Sequence, residues 1–174
     1  MPRVVVRVWF RFPLPLFDKA VRLLTVVAAA LALAASVGEA QRPLRITTKK
    51  NLTFGVLFPG ARLDVPPTDV VRAGVLDVTG PNGNQIEVRF ILPTFMSGPA
   101  GSTLPLSYTP TSAGFSTGSI TTQVRFDPTV PYRPRLSGAG RGTFYLGAVA
   151  NPGASQRSGS YSSTIIVTVL LTGL

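Results

Sequence analysis

Apolar and polar residues alternate with a period of two along most of this chain, starting just after residue 41 and recurring between clusters of Gly, Pro, Asn and Ser. That period puts successive side chains on opposite faces of an extended backbone, so it predicts half-buried strands joined by turns. The longest run sets Leu44, Ile46, Thr48, Lys50, Leu52, Phe54, Val56 and Phe58 on one parity and Arg45, Thr47, Lys49, Asn51, Thr53 and Gly55 on the other. Lys50 alone breaks the apolar side, and a bend or bulge at 49–51 would divide the run into an N-terminal strand and a core strand. Further strands are predicted over residues 70–79, 85–92, 103–108, 119–126, 142–149 and 161–171.

Ile86, Val88, Phe90 and Leu92 share one face against Glu87 and Arg89, and Ile120, Thr122, Val124 and Phe126 share one against Thr121, Gln123 and Arg125. One face of each strand is therefore wet. The last strand differs, because Ile165, Ile166, Val167, Val169, Leu170 and Leu171 are apolar on both parities. Both of its faces must be covered, or its edge must meet a partner. Turn residues at 59–60, 66–67, 80–84, 97–102, 111–118, 128–140 and 151–159 separate the strands, and Asn82-Gly83 suits a hairpin turn at positive φ. Short strands at this spacing predict an all-β, antiparallel immunoglobulin-like β-sandwich of about eight strands, preceded by an N-terminal signal helix.

Residues 23–40 depart from the alternation as an apolar run whose one charge is Glu39. Its core, Leu23 to Ala35, is 13 residues long, against the roughly 20 that a spanning helix needs. Arg22 precedes it and small residues end it at Ala40, so a secretory signal cleaved after Ala40 is the expectation, with a retained anchor as its rival. The organisation expected is a signal with a long leader over 1–40 and one β-sandwich domain over 41–174. The domain would reach the periplasm, the outer surface or the medium with no transmembrane anchor after cleavage. The leader 1–20, with Trp9 and three prolines, is long for a signal. A start at Val21 gives ordinary proportions, and a reporter fused from Val21 that fails to be secreted would count against that start.

Residues 41–174 carry twelve Lys and Arg against five Asp and Glu. Arg42, Arg45, Lys49 and Lys50 form one basic group, and Arg133, Arg135 and Arg141 a looser second one. A positive field attracts polyanions without specifying them, and it also keeps a β-rich protein soluble. No RNP-type strand, recognition helix or basic helix is present, which argues against specific nucleic-acid binding.

The chain has no His and no Cys. It therefore lacks the commonest general base, the commonest metal ligands and the strongest nucleophile, and its fold relies on core and hydrogen bonds rather than disulfides. Of the carboxylates Asp64, Asp69, Asp77, Glu87 and Asp127, only the first two are near each other in sequence. No GxSxG elbow occurs, and GAGRG at 138–142 reads as a turn before a strand rather than a phosphate cradle. No catalytic residue, metal site or cofactor is expected.

Asn51-Leu52-Thr53-Phe54-Gly55 with Pro59-Gly60, GVLDVTG at 74–80 leading into VRFILP at 88–93, YLGAVAN at 145–151, and Gly159-Ser160-Tyr161 before the last strand follow one another in a telling order. In that order and spacing the chain resembles domain of unknown function 4402, an exported bacterial family related in plan to spore coat U and archaic pilin domains. It differs in showing Leu146-Gly147 where a Gly-Gly pair is usual and Ser162-Ser163 where a glycine commonly follows Gly-x-Tyr. The resemblance implies an exported structural or adhesive domain.

The expected function is a non-enzymatic structural protein, pilin-like or coat-like, assembling by strand addition with itself or through a chaperone and usher. Segment 42–50, with Leu44 and Ile46 on one face, has the composition of a donor strand and equally that of the domain's own first strand. The alternative is a surface module for carbohydrate or other polyanions, built on Tyr132, Arg133, Arg135 and Arg141 around the loop 128–140. That alternative requires an exposed aromatic ring beside the arginines.

Overall fold

A computed structural model describes residues 42–173. The expected signal and leader lie outside the described residues. The described chain is all-β, with antiparallel pairing throughout its sheets. Strands β1 (Arg45–Lys50), β3 (Gly74–Thr79), β9 (Arg141–Leu146), β7 (Ala113–Ser116) and β8 (Val124–Phe126) form a five-stranded sheet in that spatial order. Strands β2 (Leu63–Val65), β10 (Ala148–Ala150), β6 (Thr103–Ser107) and β5 (Phe95–Ser97) form a second sheet, and β11 (Ile166–Gly173) pairs with β4 (Gln85–Ile91) in a third. Among the described residues no helix is long and apolar enough to cross a membrane.

Alternation explains which faces meet. Val78, Phe115, Phe126, Phe144 and Leu146 from the five-stranded sheet pack with Ile86, Val88 and Val169 from β4 and β11 in one buried cluster. Phe144, fully buried, lies at its centre, with ring centroids 4.8 Å from Phe115, 6.1 Å from Phe126 and 6.4 Å from Phe90. A second cluster, Phe54, Val65, Leu104, Leu106, Ala148 and Ala150, lies on the four-stranded sheet, with Leu52 and Leu57 packed against it.

The predicted strand 142–149 is two strands in two sheets. At Gly147 the backbone of Val65 to Pro67 comes too close for any Cβ, so the glycine lets the chain cross from β9 into β10. The predicted strand 70–79 begins only at Gly74. Before it, Asp69 Oδ1 accepts the N–H groups of Val71 (2.8 Å) and Arg72 (2.9 Å) and holds a turn. Residues 119–123 are also a turn, a 3-10 segment over Ile120–Thr122 opened by the Ser119 side chain, and only Val124–Phe126 is strand. Conversely β7 falls inside the predicted turn 111–118. Its four residues are all buried, and Gly114 is small because the Gln123 side chain lies where a Cβ would stand.

The bulge expected at 49–51 is present, but the core strand expected after it is not: residues 51–58 form no strand, although Leu52, Phe54 and Leu57 pack into the second cluster. The register of β1 on β3 shifts between Thr48 and Lys50, and Lys50 pairs with Val75. Val75 shares a face with Asp77 and Thr79, away from buried Val78, so the bulge turns Lys50 out of the core side.

Candidate functional site

The site is built from two strand edges. Among the described residues β1 pairs only with β3, and β11 only with β4. The other edge of β4 is taken by segment 132–136: Val88 and Tyr132 exchange backbone hydrogen bonds (2.9 and 3.1 Å), Ile86 N–H donates to Pro134 O (3.0 Å) and Leu136 N–H to Asn84 O (3.0 Å). Successive residues of a strand point their backbone groups to opposite sides. Glu87, Arg89 and Ile91 therefore face β11, opposite Leu170, Thr168 and Ile166. It follows that Val167, Val169 and Leu171 turn their N–H and C=O groups to the free edge.

Between the two edges runs a groove of about 500 Å³, lined by Thr48 and Leu52 on one side and Ile165 and Val167 on the other, over Leu106 and Leu146. It continues, through Leu52, Phe54, Met96 and Tyr161, into a hollow of about 590 Å³. Tyr108 also lines the groove. Its hydroxyl is enclosed without a partner, and burial pushes its pKa up to about 12.

The edges differ in chemistry. β1 carries Arg45, Lys49 and Lys50, charges of the sort that discourage pairing with another chain. β11 carries none, and Ile166 (52 %), Leu170 (51 %) and Leu171 (44 %) are exposed on it. The last strand, apolar on both parities, thus keeps part of its apolar surface in water.

Leu44 and Ile46, offered by sequence as donor anchors, lie at the start of the domain's own first strand. Leu44 packs against the first cluster, and Ile46 is 37 % exposed on the groove side of β1. The chain matches no family model and no curated protein.

The polyanion candidates are not brought together. Tyr132 turns inward, stacked on Phe126 at 4.0 Å and 5°, so its ring does not stand exposed beside the arginines. Arg133 Nε donates to Glu87 Oε2 at 2.6 Å. Arg135 is exposed on the same segment, opposite Gln85. Arg141 opens β9, on the outer face of the other sheet opposite Thr79. Loop 128–140 is thus partly an added strand, held by Tyr132, Pro134 and Leu136 to β4.

Sequence reasoning passed over Glu87. It lies on the wet parity of β4, yet it is 4 % exposed, clasped by Arg89 Nε and Arg133 Nε, each at 2.6 Å. Arg89 and then Arg133 hold its carboxyl below the usual value through these hydrogen bonds. The Glu87-x-Arg89 spacing, same face two residues apart, was a usable signal; Arg133, 46 residues away, was not. Among the described residues no three carboxylates gather as a metal site would require.

Proposed function

We propose that this chain is an exported, non-enzymatic structural subunit of the bacterial periplasm or cell surface, which assembles by taking an extended segment of another subunit along the free edge of β11. In this reading it is an immunoglobulin-like sandwich with one open seam, akin to the family of domain of unknown function 4402 and related in plan to pilin and coat domains. The observation that carries the reading is the groove between two unpaired edges, one of them uncharged, with Leu52, Leu106, Leu146, Ile165 and Val167 among polar residues in its lining. An added strand gains a ladder of backbone hydrogen bonds from Val167, Val169 and Leu171, while alternate side chains enter the groove. The occupant is a single extended segment, because the free edge of β11 offers one ladder of backbone groups beside a groove of about 500 Å³.

Light scattering on the exported protein, and electrophoresis of unheated cell-surface extracts, test this. The reading expects multimers, and expects Val167→Pro to abolish them, since that N–H faces the free edge and is not used by β4. Leu170→Lys, an exposed position, serves as a second block should the proline variant not fold. A protein that is monomeric at every concentration and in the extracts overturns it.

A further inference from the structure

The outer face of the five-stranded sheet carries a second feature. Arg45 pairs with Thr79, and Thr79 with Arg141. Antiparallel partners project to the same side, so the three side chains form a row across β1, β3 and β9, with the two arginine Cα atoms ~10 Å apart. All three are exposed, and neither arginine is in an ion pair among the described residues. Arg42 joins them at this end, its guanidinium donating to Ala139 O in the turn before Arg141 (3.4 Å). At the other end of β1 stands Lys49; Lys50 beside it is half-buried, and its ammonium donates to Val70 O at 2.6 Å. The one carboxylate on the intervening strand, Asp77, is held by Lys49 at 3.6 Å and by the Thr143 hydroxyl at 2.9 Å.

We propose that this strip along β1 binds an anionic polysaccharide. Arg42, Arg45 and Arg141 form a row across β1, β3 and β9 at one end, and Lys49 stands farther along β1, a spread that suits a chain of regularly spaced anions. Between them stand the hydroxyls of Thr47 and Thr79, which pair with sugar hydroxyls. The only aromatic side chain on this face of β1, β3 and β9, Tyr145, is 7 % exposed, so neither a base nor a sugar ring finds a stacking partner here, and binding rests on the cations and hydroxyls alone. The spacing of Arg45 and Arg141 is comparable with the repeat of an extended disaccharide. Arg45 and Arg141 lie on the face of the sheet opposite the groove, so glycan binding by them leaves the groove open for strand addition.

The test uses the exported protein, purified from cells expressing the full chain, with polygalacturonate as probe, dextran as neutral control and oligothymidylate as the nucleic-acid comparison. Polygalacturonate binds in low salt, and dextran does not. Arg45→Gln with Arg141→Gln weakens binding about tenfold or more, whereas Arg135→Gln with Arg157→Gln, the same loss of charge elsewhere, changes it less than about twofold. The salt dependence of the first double variant falls by about two charges. The proposal is overturned by equal losses in the two double variants, by oligothymidylate binding as tightly as polygalacturonate, or by no binding of polygalacturonate in low salt. Unchanged thermal midpoints verify that the exposed substitutions leave the fold intact.

Discussion

Glu87 is the residue whose environment departs most from its position in the sequence. An alternating strand assigns it to the wet side, and it is on that side, but two arginines close over it. Their hydrogen bonds, Arg89 first, depress its pKa from the ordinary 4.5. A carboxylate with a depressed folded-state pKa adds stability that is fully present above the unfolded value and is lost as pH falls through the folded one. Stability should therefore decline as pH falls below about 4.5. Glu87→Gln keeps the shape and removes the charge, so its stability should be lower than wild type at pH 7 and converge on it in acid. Urea midpoints measured from pH 7 to pH 3 check this, and a wild-type to variant difference independent of pH would refute it. Asp69, held low by the N–H groups of Arg72 and Val71, adds an acid dependence common to both proteins, so the difference between the two curves isolates Glu87.

Segment 128–136 shows at the element scale what a chain of prolines and polar residues conceals. It reads as a loop because Pro128, Pro131 and Pro134 interrupt any strand pattern. Yet Tyr132 and Leu136 supply apolar side chains at a spacing of four, and both enter the first cluster. The segment fastens through the Tyr132 ring on Phe126 and through Arg133 on Glu87. Tyr132→Ala should release it while β4 stays paired with β11. Hydrogen exchange then separates the two edges: the Ile86 and Val88 amides, which donate to Pro134 and Tyr132, should exchange faster, and those of Glu87 and Arg89, which face β11, should not. Uniform acceleration along β4 would contradict the added-strand account. The alternation made β4 and β6 each legible to within a residue, since both alternate between ordinary turns. It missed β7, whose four residues are all buried and so carry no period, and it ran through residue 147, where the change of sheet depends on contact with a distant backbone. The basic strip was half legible. Arg42, Arg45 and Lys49 are neighbours in sequence, but Arg141 joins them only through the pairing of β3 with both β1 and β9.

Two buried clusters on three sheets raise the question of whether the molecule unfolds as one body. β9 and β10 are consecutive, with Leu146 in the first cluster and Ala148 in the second, separated only by Gly147. A strand pair that spans both clusters transmits the loss of either to the other, because β9 cannot leave the five-stranded sheet without dragging β10 from between β2 and β6. Phe144→Ala, at the centre of the first cluster, should cost about 3–5 kcal/mol, and Leu106→Ala, in the second, about 2–5 kcal/mol. Coupling predicts that each shifts one shared transition. Far-ultraviolet circular dichroism, reporting the strands, and near-ultraviolet signals, reporting the tyrosines Tyr132 in the first cluster and Tyr108 and Tyr161 in the second, should give coincident curves in both variants. If Leu106→Ala instead split the curves, the second cluster would be an independently melting layer. The groove, whose lining draws on residues of both clusters, would then open without the core being lost. Coincident curves tie the shape of the groove to the integrity of the whole, so a strand seated along β11 would raise the single midpoint for both clusters together.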